Sequence, residues 1–275
     1  MSQIEFLTDS KAPPAPAKTK SRRLIIRTAS IVGFILFWEL IARAGLFNPV
    51  LLPPPSAVLL AAKTMLISGQ LLPNIAASLM RVCAGFFLAT IIAVPLGIVC
   101  GWYEVLFNIV DPIVELFRPI PVLALLPMAI LWFGIGESSK IFLITYGSFF
   151  PIFVNTIAGV RYVDPVLVQA AESLGATQLQ IFRRVILMAA MPDIATGLRL
   201  GLGFSFLTIV AAEMIASQSG LGFLIVDTQL TFQTDRTLVA TLMFGILGFA
   251  MSALLLAVER RLLSWKKGLG SRKAN

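Results

Sequence analysis

The apolar residues of this chain fall in several blocks of about 20, the length an α-helix needs to cross the hydrocarbon core of a bilayer. Blocks of that kind leave little choice of fold. Inside a bilayer no water is present to satisfy backbone N–H and C=O groups, so each block must pair them internally, as a helix does. Charged residues make up 13% of the chain, about half the share usual in soluble domains. The sequence therefore predicts an all-α integral membrane protein. Six spans are expected, at about 27–45, 77–101, 119–135, 139–160, 192–216 and 237–259. Pro119, Pro121 and Pro127 give the third an irregular start, and Pro95 and Pro127 are expected kinks. There is no internal repeat.

Basic residues set the orientation. With the N-terminus inside, the inner segments hold Lys11, Lys18, Lys20, Arg22, Arg23, Arg27, Arg118, Arg161, Arg183, Arg184 and the basic residues from Arg260 onward. The outer side holds Lys63, Lys140 and Arg236, with Arg43 and Arg81 near span ends. Both termini and the 161–190 loop are thus expected on the cytoplasmic side. Residues 1–23 read as a disordered cytoplasmic tail rather than a cleavable signal, 24–265 as the membrane domain and 266–275 as a basic tail. The net charge of +8 is explained as membrane anchoring, with no nucleic-acid partner.

Between the spans, Pro53-Pro54-Pro55 stops the chain, and a short outer helix is expected to follow to about Ile67 on Val58, Leu59, Ala62, Met65 and Leu66. Segment 103–118 looks amphipathic and non-spanning, facing the cytoplasm. The outer segment 217–236 is the most polar.

The 161–190 loop carries the densest helix signals. Asp164 can cap a helix with Pro165 at its first position. Leu167, Ala170, Ala171 and Leu174 share one face, and Gly175 follows as a left-handed stop. Thr177 and Gln180 have capping-box spacing for a second helix, whose face is Leu179, Phe182 and Ile186. The pair Ala170-Ala171 lets another backbone approach closely, and Gln169, Glu172, Ser173 and Gln178 offer polar contacts. Two readings fit this pattern: a docking surface, or a connector that turns the chain round.

Several chemistries are excluded. The chain has no histidine, and so lacks the commonest metal ligand and general base. Cys83 and Cys100, on one predicted helix, stand roughly 25 Å apart and cannot form a disulfide. Gly134-Ile135-Gly136-Glu137-Ser138-Ser139-Lys140 lacks phosphate-loop spacing and reads as a hairpin. No cofactor is implied. Within the spans, Glu213 and Arg199 are the candidate pathway or gate residues. For Glu213 the alternative is a structural partner to a basic residue or a backbone N–H. For Arg199 it is snorkelling to the headgroups. Gly197 and Gly201 are spaced for close helix packing, within one subunit or across a dimer. Arg81 and Glu39 read as interface anchors, and Trp38, Trp102, Trp132 and Trp265 as an aromatic belt.

The 161–190 loop resembles the EAA loop of ABC importer permeases, in which E-A-A precedes a glycine and then I-x-L-P. Aligned on Gly175, Ala170 and Ala171 match the alanines and Leu187 the leucine; Gln169, Val185 and Met188 depart from the pattern. The stretches Arg118–Pro127, Leu131–Ile141, Val210–Ala216 and Ser219–Gly222 are similar to the sulfonate, taurine and nitrate branch. The resemblance implies a six-helix type I (MetI-like) permease bundle in the bacterial inner membrane, with no catalysis of its own. It implies that Gln169, Ala170, Ala171, Glu172, Ser173, Leu174 and Gly175 form an ATPase-coupling helix. The implied partners are a cytoplasmic ABC ATPase dimer, a periplasmic or lipid-anchored substrate-binding protein, a second permease copy and membrane lipid. The implied cargo is a small anion such as an aliphatic sulfonate, taurine or nitrate. A gradient-driven carrier or channel without an ATPase is the competing expectation.

Overall fold

The structure is a computed structural model that describes residues 18–45, 48 and 50–263. The far ends of both tails, and Trp265, lie outside the described residues. The described residues form two compact units, divided between Leu59 and Leu60.

In the first unit α1 (Lys18–Arg43) begins inside the stretch read as a tail. Near its end Glu39 accepts hydrogen bonds from Arg43 Nε at 2.6 Å, Ser56 N–H at 3.0 Å and Ser56 Oγ at 2.8 Å. Glu39 therefore fastens the turn after the proline run. The expected short helix forms as α2 (Pro55–Ile67). Its buried positions are Val58, Ala61 and Met65, whereas Leu59 and Leu66 are exposed. The face lies one step round from the one assigned by spacing.

The second unit is built on three long helices, α3 (Leu71–Trp102), α6 (Glu137–Arg161) and α9 (Leu187–Ala216). Helix α6 packs against both of the others. Small residues make this possible. A Cβ on Gly97 of α3 would stand 2.8 Å from Thr156 of α6, and one on Gly201 of α9 would stand 2.6 Å from Ile152. Gly197 and Gly201 thus serve packing within the subunit. Ser148 and Ser205 share a buried hydrogen bond of 2.7 Å across the α6–α9 contact. Hydroxyls placed there satisfy each other in a setting that offers no water.

The segment 103–118 forms the expected amphipathic helix, α4 (Glu104–Phe117). After a sharp turn the expected third span, 119–135, forms not as one straight helix but as a 3-10 segment (Val122–Leu125) and the short α5 (Leu126–Phe133). The pieces on either side of the turn meet at 85°. Pro119 and Pro121 flank the break, each lacking the N–H a continuing helix would use. The turn is fixed by Tyr146, whose hydroxyl donates to the Phe117 carbonyl at 2.7 Å.

Glycine 134, with φ +77, ends α5 and starts the hairpin into α6. The polar segment after α9 is not an open loop: it folds α10 (Leu221–Leu230) with Leu221, Leu224, Ile225 and Thr228 buried. Helix α11 (Thr234–Leu262) completes the unit. Among the described residues, four helices are long and apolar enough to cross a membrane, and the bent pair would make a fifth.

Candidate functional site

The 161–190 loop folds as its signals require. Asp164 Oδ1 accepts the Val166 N–H at 2.9 Å and caps α7 (Pro165–Ser173). The helix ends in a Schellman motif: the Ala176 N–H donates to the Ala171 carbonyl at 3.0 Å and the Gly175 N–H to the Glu172 carbonyl at 2.9 Å. Gly175 sits at φ +75, where a Cβ would be strained. Thr177 and Gln180 form both halves of a capping box at the start of α8 (Gln178–Ile181).

The pair has a back and a front. On the back, Val163, Val168, Ala171 and Ala176 pack on a core of Val160, Ile181, Ile186 and Ala190. On the front, Val166, Leu167, Ala170 and Leu174 face outward, Leu174 with 87% of its surface exposed. Gln169, Glu172, Ser173 and Gly175 are exposed beside them. The face assigned by spacing is thus divided, with Ala171 turned to the body and the rest left uncovered.

The second helix departs from its expected face. Leu179 is exposed and Ile181 is the buried residue. A π-turn over Phe182–Ile186 explains this. Its i→i+5 spacing brings Ile181 and Ile186 to one side, which α-helical periodicity would not do. Through this turn α8 runs into α9, giving one helix from Gln178 to Ala216. Phe182 also meets Trp102 edge-on at 5.0 Å, joining the turn to the end of α3.

At the far end of that helix Glu213 is buried to 1% exposure within a charge cluster. Its carboxylate accepts Arg81 Nη1 at 2.6 Å, the Gly222 N–H at 2.9 Å and the Ser78 hydroxyl, which lies 2.8–2.9 Å from both oxygens. Arg81, 3% exposed, forks on Glu137 through Nε at 2.5 Å and Nη2 at 2.7 Å. It also donates to the Ser219 carbonyl at 2.7 Å and to Ser219 Oγ at 2.8 Å. Lys140 lies 3.3 Å from Glu137, so two cations face two carboxylates. Ser78 Oγ accepts the Leu221 N–H at 2.8 Å, and Asn74 accepts that of Gly220 at 2.7 Å. A cavity of about 260 Å³ opens beside Glu137, Lys140 and Ser219.

A buried ion pair is favourable only when its remaining donors and acceptors are also met, and here they are. The cluster ties α3, α6, α9 and the start of α10 together. Gly220 has φ +111, and a Cβ there would lie 2.3 Å from Glu213 Oε1, so the backbone must pass this close. Of the two readings of Glu213, the structure supplies the basic partner and the N–H. Arg81 is not an interface anchor but the centre of the cluster. Sequence reasoning missed Ser78, Asn74 and Glu137; the one available signal was an arginine and a glutamate each set in apolar sequence. Arg199, on the exposed side of α9, pairs with Glu259 of α11. The two candidate pathway residues are therefore in separate places, and neither adjoins the 161–190 loop. Among the described residues no cluster of His, Cys, Asp and Glu could hold a metal.

Residues 93–264 match the family model for the binding-protein-dependent transport system inner membrane component. The taurine transport system permease protein TauC of Escherichia coli K12 is 39% identical over 250 residues, covering 89% of this chain and 91% of that protein. The aliphatic sulfonates transport permease protein SsuC of Bacillus subtilis 168 is 36% identical over 232 residues, 84% of each. A solved chain of the MetNI methionine ABC transporter in an inward-facing conformation superposes with a TM-score of 0.59 at 21% identity, covering 70% of this chain and 95% of that one. That last likeness speaks to the fold alone. Together with the all-helical bundle, these matches show that the chain belongs to the binding-protein-dependent inner-membrane permeases of ABC transporters, in the sulfonate, taurine and nitrate branch, as a non-catalytic subunit.

Proposed function

We propose that this chain is the translocating subunit of an ATP-driven importer, and that α7 docks it to a cytoplasmic ATPase dimer. The observation that carries this is the two-sided loop. Its back is packed and its caps are complete, so it is rigid; its front leaves Val166, Leu167 and Leu174 in solvent. Uncovered apolar residues on a stiff helix favour a partner helix groove over a simple turn. Small Ala170 and Gln169 in place of an acid make shape, rather than charge, the basis of docking.

Both termini and this loop face the cytoplasm in this reading, in line with the basic residues at those positions. Six spans then result, with α1 as the first and the bent pair as the third. Two copies form the pathway between them. A periplasmic or lipid-anchored binding protein delivers a small anion, an aliphatic sulfonate, taurine or nitrate, as the similarity to TauC and SsuC suggests. The Arg81–Glu213 cluster holds the outer end of the bundle as one block, and Arg199 is tied to α11 by its pair with Glu259.

The test is co-purification with the cognate ATPase. Ala170→Glu and Leu174→Glu alter exposed side chains only, so folding should survive. Loss of ATPase association and of uptake is the expected result, with the thermal midpoint of the permease unchanged. ATPase binding and uptake at wild-type levels in both variants would sink the coupling assignment.

A further inference from the structure

The break between α4 and α5 opens onto a cavity of about 350 Å³ lined by Arg118, Pro121, Tyr146, Asn155, Leu200 and Phe204, among others. Ligand sites occupy roughly 300–1,000 Å³, so this one suits a small solute. Its depth follows from α6. Tyr146 lies nine residues from the Glu137 end, about 13 Å at 1.5 Å per residue. The bilayer core is about 30 Å thick, so Tyr146 and the cavity stand near its middle. The Tyr146 bond to the Phe117 carbonyl holds Arg118 at that level. This placement sets Arg118 deeper than the inner surface expected from the pattern of basic residues.

Arg118 is exposed and, among the described residues, has no ion-pair or hydrogen-bond partner for its guanidinium. A free cation at mid-depth cannot rest against lipid tails, and it is too deep to snorkel out. It must face a polar path. No carboxylate lines the cavity, so nothing there cancels its charge. Asn155 uses one amide hydrogen on the Pro151 carbonyl at 2.8 Å and keeps the other free. The Tyr146 proton is already committed to Phe117. The donors available to an anion are the guanidinium fork and one amide N–H; the Asn155 carbonyl and the Tyr146 oxygen are neutral acceptors beside them. The apolar walls from Pro121, Leu200 and Phe204 suit a short alkyl chain. An unwound segment at mid-membrane is also where transporters place their substrate groups.

We infer that this cavity is the anion-binding station of the transport path, with Arg118 as its positive charge and a sulfonate-sized oxyanion on a short alkyl group, or nitrate, as its ligand. This rests on the import reading above and gives it a specific site.

The full complex of permease, ATPase and binding protein, reconstituted in liposomes, is given labelled taurine. Arg118→Gln should lower uptake about tenfold or more, since a charge-assisted contact is lost. ATPase association and the binding protein's own taurine affinity should stay at wild-type values. Arg118→Lys should retain a substantial fraction of uptake as a point charge. Uptake by Arg118→Gln within about twofold of wild type would overturn the site. A second measurement needs no transport: Arg118→Cys in a Cys83→Ala, Cys100→Ala background, exposed to a sulfonate-bearing thiol reagent. Labelling, slowed by excess taurine, is expected because a thiolate forms only where water reaches. No labelling would place residue 118 against lipid and end the proposal, even if Arg118→Gln failed to assemble. A wild-type complex that moves no sulfonate or nitrate would instead defeat the cargo reading, while the labelling result still decides whether this cavity admits anions.

Discussion

Arg81 and Glu213 are 132 residues apart in sequence yet 2.6 Å apart in space. Each sits alone in apolar sequence, and that isolation was legible. Their pairing was not, because helical periodicity reports which face a residue lies on but not which helix it meets. The energetics follow from burial. Glu213→Ala would leave Arg81 with Ser219 and, as its one carboxylate, the half-exposed Glu137, and should cost about 3–5 kcal/mol. Glu137→Gln, which removes a partner in contact with water, should cost about 1 kcal/mol or less. Thermal unfolding of the purified protein in detergent would rank the two; equal losses would mean the buried pair is not the centre of the cluster. Gly220→Ala strikes the same point from the backbone side, through φ +111 and a 2.3 Å approach to the carboxylate, and should lower the midpoint as Glu213→Ala does.

The helices themselves were mostly readable where their signals are local. Asp164, Pro165, Gly175, Thr177 and Gln180 each perform the capping role their spacing suggested. Removing one such bond, as in Asp164→Ala, should cost about 1 kcal/mol, seen as a lower thermal midpoint. What failed was register. A π-turn has no local marker in Phe182-Arg183-Arg184-Val185-Ile186, so Leu179 was assigned a buried face that Ile181 occupies. The bend after Phe117 was half legible: the prolines marked an irregular start, but not that α4 and α5 meet at 85° as two halves. Close helix contacts are the other element-scale feature. At Gly97 a valine would drive its side chain into Thr156, and overpacking of that kind should destabilise by about 1–3 kcal/mol. Gly203, with no atom within 4 Å of its would-be Cβ, should accept alanine with no such loss.

At the scale of the whole molecule, hydropathy disclosed the class of fold and the basic residues suggested a sidedness, and four or five of the expected spans appear among the described residues. Composition cannot distinguish a straight span from a broken one of the same length. The three central helices could not be ordered from sequence either, since the glycines that let α6 lie between α3 and α9 look alike on every helix. The longest helix joins the two candidate sites. From Gln178 to Ala216 it runs 39 residues, with the uncovered α7 surface at one end and Glu213 near the other. Its π-turn has one further consequence, a matter of phase. Each residue advances an α-helix by about 100°. Deleting one residue from 182–186 would let the turn relax to an α-helix, four residues then making the turn that five make now. The residues on either side would keep their phase, so the α7 surface would hold its bearing and ATPase capture should survive. Losing a second residue there would swing that surface by about 100°, like a key cut correctly but turned in its handle, and should abolish capture in co-purification. The turn is thus a place where the chain carries a spare residue without turning away the protein it docks.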